Sequence, residues 1–208
     1  ARSVNQAVRE ALKYNPKWII ISNNDIIIED EISKLYTQLI NIDNKKFSAV
    51  VGAGGKDVLE LCKFNILFNL LKLSKFRYKY EILRKFKVNY YIRPPARLSK
   101  LICHPPIVEV RNIMFFGQFL IISPYYVLAN KKTLFDETYI NGAEDTDLFL
   151  NIIMKDSYAK VYFKLRHLVG QSLGVGEARS LRNIFNMIYL NYKINKGLIY
   201  IYKKKITL

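Results

Sequence analysis

Apolar residues recur at helical spacing over the first twelve positions of the chain. This stripe predicts an amphipathic helix that ends at Asn15-Pro16, because proline cannot continue a helix. Residues 18–22 are continuously apolar up to a serine and are bounded by turn residues, a pattern typical of a strand buried on both faces. The apolar members of the first stripe are Ala1, Val4, Ala7, Val8, Ala11 and Leu12.

The alternation of helix and strand continues beyond these two elements. Residues 29–42 have the spacing of a second amphipathic helix, with acids in the first turn where the helix dipole favours them. Residues 47–51 predict a second buried strand, which ends at Gly52. Helix, strand, helix, strand along the chain predicts an α/β fold in which helices flank a mixed, mostly parallel sheet.

The middle of the chain is less regular. Residues 57–87 are expected to be helical, and the proline pairs at 94–95 and 105–106 predict loops. Residues 114–122 predict a strand that is interrupted by a glycine. Pro124 predicts the start of a short helix, because proline is favoured at the first position of a helix.

Three further elements are expected in the last third of the chain. Residues 144–154 carry apolar side chains on one helical face, and residues 160–165 predict a strand. A basic, aromatic-rich helix is expected from about residue 178, followed by the run GLIYIYKKK.

Length and composition favour one packed domain. The chain has 208 residues, half of them hydrophobic, and no apolar run reaches the roughly 18 residues of a membrane span. Cys62 and Cys103 are too few for a disulfide framework and favour a reducing compartment. We therefore expect a cytoplasmic protein, with peripheral contact at the inner face of a membrane as a further expectation.

The formal charge of +16 is concentrated in two segments. Residues 72–101 carry ten Lys or Arg against Glu81, and residues 157–208 carry ten against Glu177. Such regional basicity attracts anionic partners, for example phosphates, nucleic acid or acidic lipids. A solvated basic face in a lysine-rich chain is an equally simple interpretation, so composition alone leaves the partner open.

The apolar run at 18–22 leads into Asn23-Asn24-Asp25. Ligands of α/β proteins bind at the carboxyl ends of strands, and a hard divalent cation prefers carboxylate and amide oxygens. Asn and Asp are also the commonest turn residues, because they hydrogen-bond locally. Taken alone, this stretch favours a simple turn over a metal site.

Acidic residues cluster in FDETYINGAEDTDL, residues 135–148. Acids in a first helical turn are ordinary capping residues. Clustered acids also raise one another's pKa, which suits a general base near neutral pH. A third stretch, RHLVGQS at 166–172, follows a predicted strand and contains His167.

Taken in order, these stretches resemble the family 2 glycosyltransferases of GT-A fold, especially their rhamnosyltransferase-like branch. That family has A-x-x-x-N-x-G-I-x-x-A before a strand ending N-x-D, and this chain has ARSVNQAVREA, with Ala7 in place of the glycine, and WIIISNND. The family continues with a G-x-F/L strand, F-D-E, E-D-x-D-L and H-x-x-G-x-S. Here the counterparts are FGQFLIIS, FDETY, EDTDL and HLVGQS, so the resemblance extends to about Gly174.

The resemblance implies roles for individual residues. Asp25 and His167 would bind Mn²⁺ or Mg²⁺ on the diphosphate of a nucleotide-sugar. Asp145 would be the general base that deprotonates an acceptor hydroxyl, and Glu144 would position that acceptor. Donor contacts are expected from Arg2, Asn5, Asn23 and Asn24.

The activity implied by the resemblance is that of a metal-dependent, inverting, hexosyltransferase-like enzyme with a glycan, lipid-linked or protein acceptor. A single in-line displacement at the anomeric carbon needs no covalent enzyme nucleophile. Asn151 stands where the family usually has an arginine. The implied layout is a GT-A domain at 1–176 without its two N-terminal nucleotide-base strands, a basic insertion at about 57–107 and a basic aromatic segment at 177–208.

Other functions stay open for the same residues. The interleaved basic and aromatic residues of 72–101 suit single-stranded nucleic acid, an anionic membrane or a lipid-diphosphate acceptor. The glycosyltransferase interpretation favours acceptor or membrane contact over nucleic acid. A sugar-phosphate nucleotidyltransferase would need a glycine-rich phosphate loop, for which GAGGK at 52–56 is the candidate. A catalytically inactive nucleic-acid or membrane-binding protein on the same fold is the third alternative.

Overall fold

In the computed structural model the chain divides into two compact units, whereas its length predicts one domain. The predicted insertion at 57–107 and the predicted segment at 177–208 fall almost entirely in the second unit. The first unit is Ala1–Asp57 with Asn112–Val175, and the second is Val58–Arg111 with Gly176–Leu208. The residues that the structure describes are 1–53, 59–63, 81–82, 85–86, 90–93, 108–110, 113–114, 119–167 and 177–205.

Helices and strands alternate along the described residues. The helices are α1 (Arg2–Leu12), α2 (Ile32–Ile40), α3 (Pro124–Ala129), α4 (Glu144–Met154) and α5 (Glu177–Lys205). The strands are β1 (Ile19–Ser22), β2 (Ile26–Ile28), β3 (Ala49–Ala53), β4 (Leu59–Lys63), β5 (Tyr90–Arg93), β6 (Val108–Val110), β7 (Ile113–Met114), β8 (Phe119–Ile122), β9 (Tyr158–Val161) and β10 (Leu165–His167). None of the helices described is long and apolar enough to cross a membrane.

A five-stranded sheet is the main sheet of the first unit. Its hydrogen-bonded order is β1-β8-β3-β7, and β9 pairs with β3. A mixed sheet flanked by helices confirms the α/β class. The prediction of a mostly parallel sheet is wrong for the described strands, since only β3 and β9 pair in parallel. The reason is that β8 lies between β1 and β3 and runs antiparallel to both.

β1 and β8 differ in burial although both have the composition of a buried strand. Every residue of β8 is buried, whereas Ile20 of β1 is 47% exposed. Among the described strands β1 pairs with β8 alone, so it lies at an edge of the sheet. The prediction that residues 18–22 are buried on both faces is therefore wrong.

One apolar core lies between α2 and the sheet. The rings of Phe119 and Phe163 stack with their centroids 6.3 Å apart. Trp18 packs against this cluster, and its Nε1 donates a hydrogen bond to the carbonyl oxygen of Leu39 at 3.0 Å. Burial of each large apolar side chain contributes roughly 1.5–3 kcal/mol, so this cluster fixes α2 on the sheet. Its buried members are Leu35, Leu39, Val50, Phe119, Ile121, Val161 and Phe163.

Local signals in the sequence predicted several helix ends correctly. α1 ends at Leu12, before Asn15-Pro16. α3 begins at Pro124, and the Oγ of Ser123 accepts a hydrogen bond from the N–H of Tyr125 at 3.1 Å. α4 has the predicted bounds 144–154. Proline and capping residues act within one turn, which is why these helix ends are visible without tertiary information.

Strands that depend on distant partners were predicted less well. Instead of one strand at 160–165, the structure has β9 and β10. The predicted strand at 114–122 contains β8 and the last residue of β7, and these two strands pair at different positions along β3. β2 was not predicted at all, because three isoleucines after a turn carry no periodicity that separates a strand from a loop.

The second unit has its own antiparallel sheet, in which β4 pairs with both β5 and β6. The prediction that residues 57–87 are helical is wrong at 59–63, because the alternation of Leu59, Glu60 and Leu61 suits the period of two of a strand. α5 confirms the helix predicted from about residue 178 and includes the whole GLIYIYKKK run, which was predicted to follow the helix. The predicted proline loops lie outside the described residues.

Candidate functional site

The backbone brings the predicted metal residues Asp25 and His167 side by side. Asp25 immediately precedes β2, and His167 is the last residue of β10. β2 and β10 pair antiparallel with Ile26 opposite His167. The backbone of Asp25 therefore lies next to that of His167, although the two residues are far apart in the sequence. The Oδ1 atom of Asp25 is buried from solvent.

Asn23 and Asn24 lie between β1 and β2, with both side chains exposed. Residues 24–25 form the turn that their composition predicts. The Oγ of Ser22 donates a hydrogen bond to the carbonyl oxygen of Asn23 at 2.9 Å, which ties this turn to the end of β1. The turn and the predicted ligand contact are compatible, because a turn of this kind leaves both amide side chains accessible.

Three consecutive residues before α4 have positive φ. The angles are 45° at Asn141, 147° at Gly142 and 68° at Ala143. Glycine and asparagine tolerate this region, whereas alanine in it is strained. The Oε2 of Glu144 accepts a hydrogen bond from the N–H of Gly142 at 2.7 Å and holds the loop against the helix. The first turn of α4 is therefore positioned by a tightly bent segment.

Burial raises the pKa of the Asp145 carboxyl above its ordinary value, and the negative charge of the adjacent Glu144 adds to this shift. The N–H of Thr146, which donates to the Oδ1 of Asp145 at 2.7 Å, acts in the opposite direction. Burial has the largest effect, so the carboxyl retains its proton to a higher pH than an exposed aspartate does. A carboxylate with this property is a stronger base at neutral pH.

Asp147 anchors the next part of the acidic motif. Its side chain is buried, with 7% of its surface exposed. The Nδ2 of Asn151 lies 3.3 Å from the Oδ1 of Asp147 and 2.9 Å from its carbonyl oxygen. Asn151 thus contacts the last acid of EDTDL as a neutral donor. The family that this chain resembles usually has an arginine at this position.

The connection from α4 to β9 orients the acidic end of the helix. The N–H of Ser157 donates to the carbonyl oxygen of Ile152 at 3.1 Å, so the chain reverses in a tight turn over 155–157. β9, β3 and β1 all point the same way. A helix joined to the next strand by so short a turn is expected to run back along that strand, so we expect Asp145 and Asp25 toward the same end of the sheet, the end where α/β proteins bind ligands.

Asn5 lies inside the first unit and bonds to the segment that leads to α4. Its side chain has no exposed surface. Its Oδ1 accepts hydrogen bonds from the N–H groups of Leu134 and Phe135, both at 2.9 Å. Its Nδ2 donates to the carbonyl oxygen of Phe135 at 2.8 Å and to the Oε1 of Glu137 at 3.0 Å. We therefore assign Asn5 to the link between α1 and this segment, and its predicted donor contact is not carried into the proposed function.

A signal for this link was present in the sequence. Asn5 lies between Val4 and Val8, on the face of α1 that the apolar stripe predicts to be buried. A polar side chain on a buried face needs internal hydrogen bonds. Arg2 is exposed, and its Nε lies 3.3 Å from the Oε2 of Glu137. The hydrogen bond from Asn5, followed by Arg2, holds the pKa of Glu137 below its ordinary value.

The described residues offer few clustered donor groups for a metal ion. In the described part of the chain no group of three or more His, Cys, Asp and Glu side chains is arranged to hold a metal ion. Mg²⁺ is commonly bound by one or two carboxylates, with substrate phosphates and water completing its shell. The carboxylate of Asp25 fits that type of site, and His167 is the further ligand that the resemblance implies.

The basic aromatic segments are described only in part. Most of residues 72–101 and all but the first two residues of GAGGK at 52–56 lie outside the described residues. In α5, Leu181, Phe185 and Tyr192 are exposed, and the Nζ of Lys196 lies 4.4 Å from the ring centroid of Tyr192. Exposed aromatic and basic residues are typical of helices at lipid surfaces. Contact with a membrane stays a prediction.

Comparison of the chain with protein-family models, with curated proteins and with solved structures gives no match. The support for a function therefore comes from the motifs and the geometry of the site.

Proposed function

We propose that the protein is a metal-dependent, inverting glycosyltransferase that uses a nucleotide-sugar donor. The observation that most supports this function is the pairing of β2 with β10, with Ile26 opposite His167 and Asp25 next to it. A carboxylate and an imidazole at the carboxyl end of a strand form a suitable cation site for a diphosphate. We also propose that the first unit has the GT-A fold, supported by its mixed sheet and by the order of the motifs.

The donor side of the proposed site consists of Asp25, His167 and the turn between β1 and β2. Asp25 and His167 would hold Mn²⁺ or Mg²⁺, which supplies Lewis-acid stabilisation of the departing nucleoside diphosphate. The exposed amides of Asn23 and Asn24 donate hydrogen bonds to ribose and phosphate oxygens. Oδ1 of Asp25 is shielded from water, which strengthens its electrostatic interaction with a bound cation.

The acceptor side of the proposed site is the first turn of α4. Asp145 takes the proton of the acceptor hydroxyl while the acceptor oxygen forms a bond to the anomeric carbon. The bond from that carbon to the diphosphate breaks, and the diphosphate leaves with the electron pair. Glu144 is fixed by the N–H of Gly142, and we assign its second carboxylate oxygen to the orientation of the acceptor. The acceptor is a glycan, a lipid-linked sugar or a protein.

A thermal-shift experiment tests the donor side of this proposal. The wild type, Asp25→Ala and the control Asp156→Asn are melted with a panel of nucleoside diphosphates and nucleotide-sugars, with Mn²⁺ or with EDTA. Asp156 is an exposed residue just after α4 and is remote from the turn at 23–25. At about 100-fold excess over Kd, one ligand is expected to raise the wild-type Tm by roughly 5–10 °C in Mn²⁺.

Asp25→Ala is expected to lose this rise and Asp156→Asn to keep it. If no member of the panel shifts the wild type, or if Asp25→Ala responds as the wild type does, the proposed function is wrong.

A further inference from the structure

A cleft of about 810 Å³ lies between α1 and α3 at the opposite end of β1 from Asp25. One wall is the second half of α1 with the segment 15–17 that enters β1, and the other wall is the start of α3 with Lys132. This volume is within the range of roughly 300–1,000 Å³ for small-molecule sites. Neither the turn at 23–25 nor the acidic first turn of α4 contributes a residue to this lining.

The walls of the cleft are positively charged. Among the described residues that line it, Glu10 is the only acid, and it is paired with Lys13, whose Nζ lies 2.6 Å from its Oε2. Arg9, Lys17 and Lys132 also line the cleft, and none of them is paired with an acid of the lining. Outside the lining, Glu137 partly offsets the charge of Arg9, and the Nζ of Lys17 donates a hydrogen bond to the carbonyl oxygen of Ile40. Like charges in a concave surface focus the potential and attract anions. The cleft therefore suits an anionic ligand.

Apolar groups share the cleft with these cations. Tyr125 and Leu128 are 46% and 48% exposed, and both line the cleft. Leu12, Pro16 and Pro124 complete the apolar part of the lining. Exposed apolar surface next to cations favours a ligand with an apolar portion beside its anionic group over a bare inorganic anion.

The backbone that carries the cations is held by hydrogen bonds. The N–H of Lys132 donates to the carbonyl oxygen of Val127 at 2.9 Å and closes the end of α3. The Nδ2 of Asn44, itself a lining residue, donates to the carbonyl oxygen of Lys17 at 2.7 Å. A wall with a fixed backbone loses less conformational entropy when a ligand binds.

We propose that this cleft is a second binding site, which takes a phosphate ester with an apolar portion. It is separated from the turn at 23–25 by the four residues of β1, roughly 13 Å at about 3.3 Å per residue. A phosphate group beside an apolar portion occurs both in soluble phosphate esters and in the headgroup region of anionic lipids. The site does not depend on a metal ion, and its existence does not rest on the proposed glycosyl transfer.

The test uses two probes in EDTA, so that metal-dependent binding is excluded. Phenyl phosphate is titrated by calorimetry, with inorganic phosphate as the comparison, and phosphatidylcholine vesicles with or without phosphatidic acid are used for co-sedimentation. The variant is Arg9→Gln/Lys132→Gln. The control is Lys155→Gln/Lys160→Gln, which changes the net charge equally at two exposed positions outside the lining.

The cleft variant is expected to bind one of the two probes about tenfold more weakly than the control variant does. Weaker binding of phenyl phosphate identifies a soluble ester as the ligand. Weaker binding confined to phosphatidic acid vesicles identifies a lipid headgroup. Equal binding of both probes by the two variants overturns the proposal.

Two measurements distinguish binding in the cleft from binding at the proposed metal site near Asp25. Asp25→Ala is expected to bind the probe in EDTA as the wild type does. If this variant no longer binds the probe, the cleft is not the binding site. In the wild type, probe binding is expected to weaken as KCl is raised, because ions screen exposed charges. Binding that is independent of salt would overturn the proposal even if the double variant failed to fold.

Discussion

The two ends of β1 carry opposite charge. Asp25 follows its carboxyl end, where we also expect Glu144 and Asp145 of α4, whereas Arg9 and Lys132 line a cleft at its amino end. The net charge of +16 does not reveal this separation, and the two basic segments of the sequence include neither Arg9 nor Lys132. The comparison shows that local charge at a strand end is set by the helices that the fold brings there.

Asn5 connects these two regions. α1 forms a wall of the cleft through residues from Gln6 onward, and Asn5 joins the same helix to Leu134, Phe135 and Glu137. That segment leads through the bent loop at 141–143 into the acidic end of α4. The hydrogen bonds of Asn5 therefore help to position both the α1 wall of the cleft and the acidic end of α4.

The largest effect is expected from Asp145→Asn at the acidic end. Removal of the general base is expected to lower the rate of sugar transfer by roughly 10²–10⁴-fold while metal-dependent donor binding is kept. The measurement is single-turnover transfer from the donor identified by thermal shift, with Asp156→Asn as the control at the other end of α4. Transfer at the wild-type rate would remove Asp145 as the base.

The link between the two ends is tested by Asn5→Ala. This change leaves the N–H groups of Leu134 and Phe135 buried without their acceptor. We expect a decrease of about 2–4 kcal/mol in the free energy of unfolding, measured in urea. The control is Asn41→Ala, because that exposed side chain bonds only within α2 and its capping turn, to the carbonyl oxygen of Thr37.

Asn41→Ala is expected to change the free energy of unfolding by about 0.5 kcal/mol or less. If Asn5→Ala behaves like this control, the link carries little of the stability of the first unit.

The smallest effect is the pH dependence of stability that Asp145 causes at the acidic end. Because burial raises the pKa of Asp145 in the folded protein, the folded state holds this proton more tightly than the unfolded state does. The wild type therefore loses stability as the pH rises from the ordinary aspartate value, about 3.9, through the raised pKa. Asp145→Asn lacks this loss and is expected to be more stable than the wild type at pH 7 but not at pH 3.5.

The measurement is the urea midpoint of the wild type and of Asp145→Asn at pH 3.5, 5 and 7, which gives their difference in stability at each pH. A difference for Asp145→Asn that does not change with pH would contradict the raised pKa.

The elements that the sequence predicted well depend on neighbouring residues. The stop after Leu12, the start of α3 at Pro124 and the bounds of α4 follow from proline geometry, capping and helical periodicity. The candidate residues were likewise found from short motifs. The sequence could not separate the turn at 24–25 from a ligand site, because the same residue types serve both.

By itself the sequence determined which segments are helical near proline and capping signals, and the order of its acidic and histidine motifs along the chain. The tertiary structure decided which strands are neighbours: β8 between β1 and β3, β10 beside β2, and β1 at an edge. Strand pairing satisfies backbone groups between residues far apart in the chain, so no local pattern encodes the partner. For the same reason only the fold brings Asp25 beside His167 and gathers Arg9, Lys17 and Lys132 around one cleft.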